Sequence, residues 1–156
     1  MGKIRGFTLV ELMIVLAIMA ILAVVAAPNF GLFVQTGRMD TIQNRLVTSM
    51  AQARSEAIRR GETVTVTFTE NAAGETVSWL SVSESGNQIR QEYGPDANVS
   101  LTAGRNTVVF TRDGELSPAA TVCFVTTDND DDTEIRYVQI NATGRARAWD
   151  GAPVCS

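Results

Sequence analysis

The sequence predicts an α+β fold: one long, kinked N-terminal helix, membrane-spanning in its first half, packed on an antiparallel β-sheet head. Three observations carry that prediction. From Phe7 to Ala27 there are 21 residues with one charge, Glu11. Apolar residues then recur at steps of three and four as far as Ala57. Beyond Gly61 the period changes from 3.6 to 2.

As a helix, the apolar run spans roughly 31 Å at about 1.5 Å per residue, the thickness of a bilayer's hydrocarbon core. It is longer than the apolar region of a cleaved secretory signal, which runs about 7–15 residues. Lys3 and Arg5 precede it, and by the positive-inside rule they hold the N-terminus in the cytoplasm. A charge at mid-membrane costs roughly 2.5–3.5 kcal/mol on insertion scales, so Glu11 calls for a partner. Pro28 closes the run and is expected to kink the helix. Phe30, Phe33/Val34, Ile42, Leu46, Met50, Ala53 and Ala57 then mark one apolar face. Asp40, Gln43, Asn44, Arg45, Gln52 and Arg59 form the expected wet face. Gly61 after Arg59-Arg60 reads as the helix stop, with cations in the last turn.

Strict alternation over Thr63–Thr69 predicts a half-buried strand, with a turn at Asn71–Gly74 and a return strand over Thr76–Val82. Shorter strands are expected at Gln88–Tyr93, Asn98–Thr102 and Thr107–Thr111, the last ending at Asp113-Gly114. Thr121–Thr127 and Glu134–Asn141 follow, joined by an acidic loop, and Thr143-Gly144 turns the chain into Arg145–Trp149. Six to eight short antiparallel strands are expected in all, with Phe68, Trp79 and Phe110 in their core.

Composition narrows the chemistry. The chain has 156 residues, no histidine and a net charge of −4. Without histidine the commonest general base and metal ligand is missing, and no nucleophile–base pair stands out. No catalytic residues, cofactor or metal site are therefore expected. Two cysteines, Cys123 and Cys155, pair as a disulfide if the chain is exported, and are two buried thiols otherwise. Such a bridge would contribute roughly 3–4 kcal/mol by chain-entropy arithmetic. Asp128–Glu134 places carboxylates at alternate positions. It lacks the sixth-position glycine of an EF-hand loop and reads as a solvated hairpin loop, with a weak calcium site as the alternative.

The stretch Gly6-Phe7-Thr8-Leu9-Val10-Glu11 resembles the processing site of type IV pilins and type II secretion pseudopilins. The resemblance implies that a prepilin peptidase/methyltransferase cuts after Gly6 and methylates Phe7. It also implies that Glu11 pairs with the terminal amine of a neighbouring subunit in a filament. A buried ion pair of that kind sets register more than it adds stability. Loss of Lys3 and Arg5 with the leader would take the net charge from −4 to −6.

Further on, Ala53-Arg54-Ser55-Glu56-Ala57-Ile58 is similar to a segment shared by GspH/FimT-type minor pilins and pseudopilins. The order Phe110, Gly114 turn, strand near Cys123 and strand leading to Gly144-Arg145 fits as well. The likeness is closest over residues 6–27 and thinnest between 62 and 105. It implies a type IV pilin-like fold in four parts: a leader over 1–6, a transmembrane and filament-core helix over 7–28, an amphipathic helix of the head over 29–61, and a β-rich periplasmic head over 62–156. It places the chain in the bacterial inner membrane as a single-pass protein until it enters a pilus or pseudopilus. The implied partners are other pilin or pseudopilin subunits.

One further constellation is Gly144-Arg145-Ala146-Arg147. Two arginines two apart on an extended segment point to one side, and Trp149 continues that side and can stack on a base. Read from spacing alone, the arginines either meet a polyanion or balance an acidic surface, pairing with Asp150 or the acidic loop. The pattern resembles the Gly-Arg-x-Arg motif of FimT-type pilins, and through that resemblance implies DNA binding in natural transformation. Three functions follow as expectations: a FimT-like minor type IV pilin, a GspH-like type II secretion pseudopilin, and a membrane-anchored periplasmic binding domain that never enters a filament.

Overall fold

A computed structural model of the chain describes residues 7–95, 99–128 and 135–149, with backbone alone over 25–36 and at 128. The helix α1 runs Leu9–Arg60. The chain divides into two compact units, Met1–Thr36 and Gly37–Ser156.

In the first unit every described side chain from Phe7 to Val24 is exposed, Phe7 by 86% and Leu9 by 74%. A helix apolar all round has to be buried by something outside itself. Among the described residues no helix is long and apolar enough to cross a membrane. Pro28 lies outside the described side chains, and so does the kink expected there.

The second unit begins with the rest of α1. Ile42, Leu46, Met50, Ala53 and Ala57 are buried on one face, as their spacing predicts, and Met39 joins them. Gln43 is a correction. Expected on the wet face, it is only 4% exposed, and its Nε2 donates to the carbonyl of Tyr137 at 3.3 Å. That bond gives a buried amide a partner, which is what makes the position tolerable. The helix ends where Gly61 takes φ 65° and the Glu62 amide donates to the Ala57 carbonyl at 3.3 Å, a Schellman closure.

Nine strands follow among the described residues: β1 Val64–Glu70, β2 Thr76–Ser83, β3 Gln88–Tyr93, β4 Val99–Ala103, β5 Thr107–Phe110, β6 Leu116–Ser117, β7 Val122–Asp128, β8 Ile135–Ile140 and β9 Ala146–Trp149. The expected count of six to eight missed β6, whose two residues are too short to show a period. The strands form two antiparallel sheets, ordered β3-β2-β1-β5-β6 and β4-β7-β8-β9. Asn98, expected to open β4, lies outside the described residues.

Four hairpin turns repeat one chemistry. Asn71, Ser83, Thr111 and Asn141 each accept the amide of a glycine three residues on, at Gly74, Gly86, Gly114 and Gly144. Each also accepts an amide four residues on through its own side-chain oxygen, at 2.8–3.2 Å. A short polar side chain closing its own turn, followed by a left-handed glycine, is the local signal that sets these corners.

Alternation puts Val64, Val66 and Phe68 of β1, Trp79 of β2, Val108 and Phe110 of β5, Val122 and Phe124 of β7, and Val138 and Ile140 of β8 into one core with the helix face. Phe68 joins the sheets: its ring lies 6.3 Å from Trp79 within its own sheet and 4.9 Å from Phe124 of the other. Phe68, Trp79 and Phe110 are all buried, as expected of core aromatics. Replacing fully buried Phe124 by Ala is expected to cost about 3–5 kcal/mol in denaturant unfolding. Tyr93→Ala, at a position 70% exposed, is expected to stay within about 0.5 kcal/mol.

Candidate functional site

The start of α1 is the first place where the expected chemistry acquires geometry. Thr8 is the N-cap: its Oγ1 accepts the Glu11 amide at 3.3 Å, while a Glu11 carboxylate oxygen accepts the Thr8 amide at 3.0 Å. The Thr8 hydroxyl also donates to that carboxylate oxygen at 3.0 Å. This is a capping box, and it satisfies two helix-end donors that would otherwise go unpaired. The signal Thr-x-x-Glu stood in the sequence, and reading Glu11 only as a partner for another chain missed it. Phe7 stands exposed beside the box, and Gly6 lies outside the described residues.

A second centre forms where the helix meets two of the hairpin turns. The Arg54 Nε donates to the carbonyl of Gly114 at 2.9 Å. Gly144 presses against that same carbonyl: a Cβ on Gly144 would collide with it and stand 3.2 Å from the Arg54 Nε. A Cβ on Gly114 would come within 2.7 Å of Ile58 Cδ1. Beside the turns, the Leu116 amide of β6 donates to the Ala142 carbonyl at 2.9 Å, a backbone bond from β6 to the β8–β9 turn. Arg54, Gly114 and Gly144 are far apart in sequence and sit in the segments that carry the family likeness. No spacing rule could have brought them together.

Glu56, on the same turn of helix as Arg54, accepts from Arg59 at 3.1 Å and from Arg60 at 2.7 Å. Hydrogen bonds from Arg59 and then Arg60 lower its carboxyl from an ordinary 4.5 to about 2. The two cations of the last turn are thus held by a carboxylate inside the same helix.

Arg145 follows Gly144 in the turn, and its amide donates to the Asn141 side chain at 2.8 Å. Its side chain is exposed and lines a cleft of about 390 Å³ together with Arg54 and Ser55 of the helix. Arg147 and Trp149 lie further along β9, paired in register with Gln139 and Tyr137 of β8. Alternation puts these two on one side of the strand, and both are exposed, Trp149 by 48%. Among the described residues neither Arg145 nor Arg147 has a side-chain partner. Asp150 and the acidic stretch 129–134 lie outside the described residues, as does Cys155. Cys123 is buried and is not a free thiol. Among the described residues no group of side chains is arranged to hold a metal ion.

Two outcomes follow. Gly144→Ala is expected to destabilise the head by about 1–3 kcal/mol from its φ of 75° alone, and by more through the collision with Gly114, measured by thermal or denaturant unfolding. For Glu56 the folded value lies below the unfolded one, so its contribution is present above pH 4.5 and is lost as pH falls toward about 2. The stability difference between the protein and Glu56→Gln, followed in unfolding curves against pH, should therefore be present at neutral pH and shrink across that window.

Comparison with known proteins now adds the family. A profile described as "Type II transport protein GspH" matches residues 43–144, and one described as "Prokaryotic N-terminal methylation motif" matches residues 1–27. No curated protein matches. Among solved structures, the type IV minor pilin FimU of Pseudomonas aeruginosa is similar in two crystal forms. One covers 79% of this chain and 98% of that chain at 20% identity with a TM-score of 0.65. The other covers 74% and 98% at 21% identity with a TM-score of 0.60. At that identity the likeness establishes a shared fold, the α+β minor-pilin fold expected from the sequence. The GspH match takes in both the Arg54 segment and Gly144, and the methylation motif takes in Gly6, Phe7 and Glu11, so this chain belongs to the GspH family of minor pilins and pseudopilins.

Proposed function

We propose that this chain is a minor type IV pilin of the FimT kind, a structural subunit without catalytic activity, whose head contacts DNA through Arg145 and Arg147. The observation that carries the reading is the pair of exposed guanidinium groups in Gly144-Arg145-Ala146-Arg147, neither with a side-chain partner among the described residues. Phosphate oxygens are the ligands such groups suit best. Trp149, exposed on the side of β9 that Arg147 occupies, adds a surface for stacking. The acidic balance of the chain makes the contact local, weak and sensitive to salt. The similarity to FimU, a type IV minor pilin, supports the pilus over other systems. The name of the matching profile favours the second reading, a type II secretion pseudopilin with the same fold.

In either reading the maturation and assembly steps are the same. A prepilin peptidase/methyltransferase cuts after Gly6 and methylates Phe7. The exposed apolar helix that follows resides in the inner membrane, N-terminus inside and head in the periplasm, until it joins a filament of pilin subunits. There Glu11 exchanges part of its capping box for the terminal amine of a neighbour. Cys123 and Cys155, the only cysteines, form the disulfide expected of an exported chain.

Two experiments test these steps. Gln can fill the third position of a capping box as Glu does, but it carries no charge. Glu11→Gln is therefore expected to keep the helix start and lose incorporation into filaments, scored by immunoblot of sheared filaments. Normal incorporation of Glu11→Gln would leave the capping box as the whole role of this residue. For DNA, the full chain in detergent should shift a duplex in a gel at low salt and lose most of that binding in Arg145→Ala/Arg147→Ala. Binding unaffected by the double substitution, or none at all, would overturn the DNA reading.

A further inference from the structure

The cleft beside Arg145 has a second wall that the Gly-Arg-x-Arg stretch does not contain. Arg54 and Ser55 of α1 line it opposite the turn, and Ala51, Ile58 and Ala146 supply its apolar surface. The cleft lies wholly within the second unit. Its volume, about 390 Å³, falls in the range of roughly 300–1,000 Å³ typical of small-ligand sites.

Two features suit it to a charged ligand. Arg54 spends its Nε on the Gly114 carbonyl, which fixes the guanidinium plane, while its two terminal nitrogens have no partner among the described residues. Arg145, on the facing turn, likewise has no side-chain partner among the described residues. Two guanidinium groups in one cleft repel each other unless an anion lies between them. A third feature says what else the ligand carries. Ile58 is a large aliphatic side chain left 50% exposed, next to two alanines too small to cover it. A free inorganic anion has no use for that surface, whereas the sugar of a nucleotide unit does.

We propose that this cleft is a phosphate subsite for nucleic acid: Arg54, Ser55 and Arg145 take one backbone phosphate, and Ile58 packs against the attached sugar. The proposal rests on the DNA reading above and adds to it a helix-borne wall. Arg54 thereby acts twice, once through Nε to hold the turns together and once through its terminal nitrogens to bind.

Because Arg54 also supports the turns, its own removal would be ambiguous. Ala51 is exposed on the helix and takes no part in the turns, which makes it the better position. The full chain in detergent is titrated against a fluorescently labelled duplex at low salt. Ala51→Glu places a carboxylate in the cleft and is expected to weaken binding about tenfold or more. Ala51→Arg is expected to tighten it, which misfolding could not produce. Thr67→Glu, with the same charge change on an exposed strand position of the other sheet, is the control and is expected to change affinity far less. If Ala51→Glu and Thr67→Glu weaken binding equally, and Ala51→Arg does not tighten it, the cleft is overturned. The DNA reading would still stand if Arg145→Ala/Arg147→Ala abolishes binding. A full chain that binds no duplex at all overturns both.

Discussion

One hydrogen bond, from the Arg54 Nε to the Gly114 carbonyl, ties the helix to the turns of the head. It joins three pieces of chain that have no local reason to meet: the last turns of α1, the β5–β6 turn and the β8–β9 turn. Gly144 lets its turn approach the Gly114 carbonyl, Gly114 lets its own turn approach Ile58 of the helix, and the helix brings the donor that satisfies the carbonyl. Deeper in, the Phe68–Phe124 contact does the same for the sheets through apolar packing. The polar junction fixes the register and angle of the turns, and the aromatic core supplies the larger share of the burial energy.

The proposed functional residues fall in two parts of the chain, the start of α1 and the head. At the start of α1, one Glu11 carboxylate oxygen accepts both the amide and the hydroxyl of Thr8, while no cation among the described residues pairs with it. In the proposed filament, the terminal amine of a neighbour supplies the opposite charge that the capping box does not. At the other end, the Arg54 junction sets where Gly144 lies and therefore where Arg145 emerges. The acidic overall balance confines any polyanion contact to such a patch.

Much of the fold was legible because its signals are local. The period of the helix face named Ile42, Leu46, Met50, Ala53 and Ala57, and the strict alternation of Thr63–Thr69 named β1 to within a residue at each end. Glycines behind short polar side chains marked the corners. What escaped was non-local. Gln43 is buried because a carbonyl of β8 needs a donor, and nothing within the helix sequence announces that. The two-residue β6 exists because β5 has a free edge to pair with, not because Leu116-Ser117 has strand character. At the candidate sites, Arg145 and Arg147 were singled out by their spacing and by the Gly-Arg-x-Arg resemblance, but the helix wall of Arg54 and Ser55 becomes visible only once the chain is folded.

The claim that Arg54 ties both turns to the helix can be tested by native-state hydrogen exchange on the full chain in detergent, comparing it with Arg54→Met. Methionine keeps an apolar stem and offers no donor. The account predicts that the Gly114, Leu116 and Gly144 amides lose protection together while Phe68 on β1 keeps its own, because one interaction holds both turns. Unchanged protection at these amides, or loss in one turn without the other, would contradict it.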